Sequence, residues 1–294
     1  MPSRVCDKYA IQVASLAVKS LLYEVSVTPK PGLVDRANNG SHADMDYFTF
    51  IDSATALYGY YADIAKSGAD FGEGLGELLP TLRQLGRNAE RDMFFATDGV
   101  NTHKGVIFSL GVICAAAGYM HVHPVEQGVF SLLKYSGEIA ASAMEDFSTG
   151  NNNTNGANLY RKYGIAGIRG EAAAGFPNVR DYGYPILCRA LERGCSMNDA
   201  GVITLLHLMA RVEDTNMVVR GGREVVAIMQ SDLKKRLAAD DDPAGLAAYA
   251  AKLDAEFIQR GISPGGCADL LAICYMMHFL FNNKNGANHV FRTA

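Results

Sequence analysis

Five polar, glycine-containing segments lying between apolar stretches carry the residues whose types and spacing point to chemistry. In the first, Thr28-Pro29-Lys30-Pro31-Gly32-Leu33-Val34-Asp35-Arg36, two prolines stop a preceding helix and stiffen the backbone, which would hold Lys30 and Arg36 in place. A proline-rich connector with solvated charges explains the same residues. The second, Thr97 to Gly105, runs into a strongly apolar helix, with Asn101 or Thr102 as the expected N-cap and His103 and Lys104 at its start. Free backbone N–H groups, the helix dipole and a lysine together suit phosphate, and capping without a ligand is the alternative. The third, Gly167 to Pro177, sets Arg169 and Glu171 among glycines that permit close backbone approach; a local Arg169–Glu171 surface pair competes with a site role. The fourth, Glu213 to Gly222, offers Asp214 at a helix end as metal carboxylate or cap, and Arg220 with Gly221 and Gly222 as a phosphate clamp. The last, Ser263 to Asp269, reads as a helix start with Ser263 as N-cap and Pro264 in the first turn. Gly265 and Gly266 exceed what capping needs.

The elements that must position these segments are helices. Apolar residues recur at helical spacing in Ala10, Val13, Ala14, Ala17, Val18, Leu21 and Leu22. The same pattern predicts helices over Met45–Lys66, Gly74–Met93, His103–Met120, Val125–Met144, Tyr182–Arg193, Asn198–Val212, Arg223–Ala239, Pro243–Arg260 and Pro264–Phe281. No hairpin signal occurs, and the apolar runs are too long and too rich in Ala, Leu and Met for alternating strands, so the fold class is all-α. With no repeat or low-complexity tract, residues 1–294 are expected to form a single domain whose weakest join is the acidic turn Asp240 to Pro243.

The hydrophobic share of 49% can fill a sizeable core, and a net charge of -4 argues against a general nucleic-acid or anionic-membrane binder, which needs a basic face. Six cysteines without a CxxC pair read as reduced and mostly buried. The N-terminal stretch lacks a secretory pattern, so a cytoplasmic location is expected. The run Gly105 to Met120 is interrupted by Ser109, Gly111 and Gly118 and reads as a buried core helix rather than a membrane span. His121 and His123 lack partners at zinc-ligand spacing and are expected to end a helix; His207 and the pair Met276 and Met277 read as core. No GxSxG, HExxH, GxGxxG or Walker A element occurs.

Taken together, the strings TPKPGLVDR, GVNTHKG, RGEAAAGFP, DTN followed by RGG, and SPGG followed by ADLL resemble the triphosphoribosyl-dephospho-CoA synthase family, in order and over nearly the whole chain. Departures from that pattern are Asp98 and Glu213, where small residues are expected, and Cys267 in place of Ser. The resemblance implies transfer of the triphosphoribosyl group of ATP to the ribose 2′-hydroxyl of 3′-dephospho-CoA, with release of adenine. The product is a prosthetic-group precursor for the acyl carrier protein of citrate lyase or malonate decarboxylase, which a separate transferase attaches.

That reaction builds oxocarbenium character at the ribosyl C1′, for which Glu171 and Asp35 are the carboxylate candidates. It also needs a general acid and base, a role open to His103 or a carboxylate. The intact triphosphate calls for Mg²⁺, with Asp214 and Asp269 as candidate ligands. Lys30, Arg36, Lys104, Arg169 and Arg220 would meet the phosphates, alongside Asn101, Ser263 and the backbones of Gly221, Gly222, Gly265 and Gly266. The sequence leaves a homodimer open. An N-glycosidic hydrolase and a non-catalytic ATP-binding helical protein are the competing readings.

Overall fold

Helical periodicity dictates the regular elements of the computed structural model, which describes residues 4–72, 74–149, 155–239 and 242–282, and no strand occurs among them. Among the described residues fifteen α-helices follow one another: α1 (Arg4–Ser26), α2 (Tyr47–Ala56), α3 (Tyr58–Asp70), α4 (Leu79–Ala96), α5 (Lys104–Val122), α6 (Val129–Ala140), α7 (Asp146–Thr149), α8 (Asn155–Tyr163), α9 (Gly167–Ala173), α10 (Tyr184–Glu192), α11 (Met197–Met209), α12 (Thr215–Gly221), α13 (Arg223–Ala239), α14 (Pro243–Arg260) and α15 (Gly265–Phe281). The all-α expectation therefore holds. Of the join expected at Asp240 to Pro243, Asp240 and Asp241 lie outside the described residues, and α14 begins at Pro243 with the Asp242 side chain accepting from Gly245 N.

Two helices, α5 and α15, are apolar on almost every face and form the centre, with α1 and α3 packed on them and α11 on α15. Among the described residues α5 alone is long and apolar enough to cross a membrane, and 72% of that apolar window is buried inside the protein, as a core helix requires. The crossing of α3 on α5 depends on glycine. A Cβ at Gly68 would stand 1.9 Å from the Ala115 carbonyl oxygen, and one at Gly118 would stand 1.8 Å from that of Ala65. Gly111 makes room for Tyr60, whose hydroxyl donates to Ile107 O at 2.9 Å. Of the expected core residues, Met276 and Met277 are fully buried, whereas His207 is half-buried, its pKa lowered to about 4 by burial and by the nearby Arg211 and Arg189. His121 and His123 do end α5, stacked on Tyr9 and Tyr119. Cys114, Cys188, Cys195, Cys267 and Cys274 are free thiols.

Several boundaries differ from the periodic reading. The helix expected over Met45–Lys66 divides at Leu57, where the Thr55 hydroxyl bonds back to the carbonyls of Ile51 and Asp52, a pattern that bends helices. The helix expected from Gly74 begins only at Leu79, after a 3-10 turn, with Pro80 in its first turn. That expected from Val125 begins at Val129 and tightens into a 3-10 turn over Ala141–Glu145. Segments three and four, expected as inter-helix loops, contain α9 and α12. The N-cap of α5 is His103 rather than Asn101 or Thr102, although Asn101 Oδ1 still accepts from Lys104 N at 3.3 Å. That of α15 is Pro264 rather than Ser263, because the Ser263 hydroxyl is engaged with His42 Nε2 at 2.9 Å.

Urea unfolding checks the role of the α3–α5 crossing. Gly118→Val is expected to lose stability by about 1–3 kcal/mol or more through overpacking. Gly86→Ala, on α4 where an added Cβ finds its nearest neighbour at 3.9 Å, should gain about 1 kcal/mol from helix propensity.

Candidate active site

All five segments contribute to one cavity of about 1050 Å³, at the upper end of the range for small-molecule sites. The first supplies Lys30, the second Asn101 to Val106, the third Gly167 to Glu171 except Arg169, the fourth Asp214 to Asn216 and Arg220, and the fifth Ser263, Gly265, Gly266 and Asp269. The long helices α5 and α15 both begin here. Their first-turn N–H groups have no intrahelical acceptor, so Gly105, Val106, Gly265 and Gly266 bring anion-binding donors to the wall.

Lys30 is fully buried, and its ammonium meets the Glu24 carboxylate at 2.5 Å. Glu24, the last acidic residue of α1, thereby becomes part of the site, a role that helix periodicity alone does not reveal. Burial pushes the Glu24 carboxyl up while Lys30 pulls it down, and Asp35 adds to the upward push. Asp269 also lines the cavity, with no ion-pair or hydrogen-bond partner among the described residues. Burial raises its carboxyl well above the usual carboxylate range, and the nearby Glu24 and Asp214 raise it further. Gly105 is what admits it, since a Cβ there would stand 2.2 Å from Asp269 Oδ2.

The other carboxylates are engaged differently. Asp214 caps α12 through Asn216 N at 2.8 Å and Met217 N at 3.2 Å, while its second oxygen accepts from Cys267 N at 2.8 Å, tying α12 to α15. A Cβ at Gly266 would stand 3.0 Å from that oxygen. With both oxygens taken by backbone donors, Asp214 is built as a cap and brace. Asp35 lies off the cavity and accepts from Lys30 N, Ala37 N and Asn38 N, so it shapes the loop and does not face a substrate. Glu171 does line the cavity, and its carboxylate is held by Asn178 through the backbone N–H at 2.7 Å and the side-chain amide at 2.8 Å. Burial nevertheless raises its pKa. The Arg169–Glu171 pair does not form: Arg169 faces Asp146 at 3.9 Å and packs over the Phe147 ring, in a neighbouring cavity.

His103 is buried, and its Nδ1 lies 2.6 Å from the Ser53 hydroxyl. Thr102 Oγ1 donates to Ser53 Oγ at 2.6 Å, which leaves the Ser53 proton available to Nδ1, the arrangement that carries the ring proton on Nε2. Nε2 is buried without a partner among the described residues. Desolvation, assisted by Lys30, lowers the ring's pKa to about 3, so His103 stands as a neutral N–H donor rather than a cation. The remaining expected phosphate ligands divide. Lys104 lines the cavity with its ammonium 2.9 Å from Glu90 Oε2, and Arg220 lines it while donating to the carbonyls of Ser41 and Gly261. Arg36, Gly221 and Gly222 do not line it. Arg36 donates to Asn198 at 3.0 Å, Gly221 packs beneath Ile262, and Gly222, at φ 81°, ends α12. Arg211, His42 and Asn178 join the lining from positions with no motif signal.

No group of three or more His, Cys, Asp or Glu side chains among the described residues forms a cage. Mg²⁺ characteristically takes one or two carboxylates plus phosphate oxygens and water, and the unpaired Asp269 beside phosphate-suited helix termini meets that requirement.

Fold and cavity thus define an all-helical protein with a large site shaped for phosphate-bearing ligands. The chain belongs to the CitG family, ATP:dephospho-CoA triphosphoribosyl transferase, whose model matches residues 10–288. It is 38% identical over 281 residues to a probable 2-(5''-triphosphoribosyl)-3'-dephosphocoenzyme-A synthase of Vibrio cholerae serotype O1 (strain M66-2), covering 91% of this chain and 88% of that protein. It is 39% identical over 278 residues to the 2-(5''-triphosphoribosyl)-3'-dephosphocoenzyme-A synthase of Pectobacterium atrosepticum, covering 92% and 90%. Against Protein CitXG of Leuconostoc mesenteroides subsp. cremoris the identity is 38% over 280 residues, with 89% of this chain and 57% of that protein covered. No solved structure matches the chain.

A carboxyl whose pKa rises on folding favours the folded state at low pH and weakens it as pH climbs through the raised value. Asp269→Asn removes that penalty. The variant should melt above wild type at pH 8, with the gain shrinking toward pH 4; an unchanged or lower melting temperature at pH 8 would contradict the unpaired state assigned to Asp269.

Proposed function

We propose that the protein transfers the triphosphoribosyl group of ATP to the ribose 2′-hydroxyl of 3′-dephospho-CoA, releasing adenine. The observation that carries this reading is the convergence of all five segments on one cavity roomy enough for two nucleotides. The C1′–N9 bond of ATP breaks, the C1′–O2′ bond forms, and the proton lost by the hydroxyl balances the one adenine gains.

Glu171, fixed by Asn178 at the cavity wall, is the carboxylate assigned to the cationic sugar and to the acceptor's proton; Asp35 serves as a positioning residue. His103 offers its Nε2–H as a neutral hydrogen-bond donor to substrate. Lys104, Arg220 and the first-turn N–H groups of α5 and α15 meet the triphosphate. Asp269 would hold Mg²⁺ together with phosphate oxygens, and the ion would supply charge neutralisation there. The product would pass to a separate carrier-protein transferase of citrate lyase or malonate decarboxylase, in the cytoplasm.

The test incubates purified protein with ATP, Mg²⁺ and 3′-dephospho-CoA and follows both the CoA mass and free adenine. A triphosphoribosyl mass gain with adenine released only in the presence of acceptor is the expected result. Adenine without acceptor means an N-glycosidic hydrolase, and none at all means a binding protein. In the same assay Glu171→Gln and Lys104→Ala should each lower turnover by about 10²–10³-fold with unchanged circular dichroism.

A further inference from the structure

Beside the main cavity lies a second one of about 390 Å³, a size that suits part of a small ligand. The two share Lys104, Gly105, Gly167 and Thr215, so they adjoin at the start of α5. The second differs in character: its walls include Leu79, Leu82, Ile107 and Phe108, from α4 and α5. Three arginines, Arg83, Arg87 and Arg169, line it with two carboxylates, Glu90 and Asp146; Arg83 and Arg169 face Asp146 at 2.9 and 3.9 Å, and Arg87 is exposed with no carboxylate partner among the described residues.

We propose that this second cavity binds the pantetheine arm of the acceptor, an inference that rests on the transfer reaction proposed above. The chemistry of the arm matches the order of surfaces. An acceptor whose 2′-hydroxyl reaches the donor sugar must put its adenosine in the main cavity. Its diphosphate then passes Lys104 and the arginines. The arm that follows is a chain of methylenes, a dimethyl-substituted carbon and two amides, which an apolar cleft takes better than water does. ATP has no such extension, so the second cavity distinguishes acceptor from donor. Arg169, placed by sequence among the triphosphate ligands, becomes an acceptor ligand in this arrangement.

Gly86 provides the test, because it lines the second cavity and not the first, and a Cβ added there finds its nearest neighbours, Tyr60 Oη and Ile107 Cγ2, at 3.9 and 4.0 Å. Gly86→Leu therefore fills the cleft while favouring the helix that carries it. Titration calorimetry with 3′-dephospho-CoA, with ADP as the same nucleotide lacking the arm, and with ATP reads the effect. The assignment expects Kd for 3′-dephospho-CoA to rise about tenfold or more in Gly86→Leu, with ADP and ATP held within about twofold. Wild-type protein that binds 3′-dephospho-CoA, with Gly86→Leu binding it equally well, overturns the arm's placement and leaves the transfer reaction standing. So does a loss for ADP as large as that for 3′-dephospho-CoA. Wild-type protein that fails to bind 3′-dephospho-CoA at all overturns both.

Discussion

The first segment is fastened to the helical core by one buried ion pair, Lys30 with Glu24. Two charges removed from water must satisfy one another closely, and removing one partner from such a pair costs about 3–5 kcal/mol. This pair also fixes geometry, since it fastens the end of α1 to a loop whose next anchor is the Lys30 N–H bond to Asp35. Its electrostatic consequence reaches further. Glu24 neutralises Lys30, and its carboxylate, with that of Asp214, adds to the upward push that burial exerts on Asp269. Lys30 in turn assists the burial that lowers the His103 pKa.

The acidic residues around the cavity accordingly fall into two groups. Asp35, Asp214 and Asp254 spend their oxygens on backbone and amide donors; Asp254, on α14, accepts from Gly32 N at 2.8 Å and Asn38 Nδ2 at 2.9 Å. These three hold the polar segments in shape. Asp269 keeps its carboxyl for the cavity, and Glu171 is oriented by Asn178 and the Val179 backbone. Glycines complete the arrangement where backbone must come close: Gly105 against Asp269, Gly266 against Asp214, and Gly32, at φ 68°, against the Ile262 carbonyl. A phosphate-bearing ligand then meets a wall that is already formed.

Much of this was legible in the sequence. Helical spacing placed the long apolar helices within a few residues, because α5 and α15 leave no competing pattern. The five segments were legible because glycine and proline beside charged residues have no place inside a helix. What the sequence could not separate was a carboxylate that caps from one that reacts. Asp35 and Asp269 occupy similar motifs, and only the positions of distant amides distinguish them. Arg36 and Arg169 were misplaced for a related reason: a cation in a motif points wherever its helix or loop turns it. Glu24, Ser53, His42 and Asn178 carry no local signal, and tertiary packing alone brings them to the site. The short helices α9 and α12 were hidden inside motifs that read as loops, since seven residues are too few to show a period.

The account turns on the claim that the unpaired carboxyl of Asp269, raised by burial, is lowered again when a cation takes its place. Calorimetric titration of Mg²⁺ and ATP near pH 7, in buffers of different ionisation enthalpy, measures the protons exchanged on binding. Proton release by wild-type protein that disappears in Asp269→Asn is the predicted result. Equal release by both proteins, or none by wild type, would contradict it.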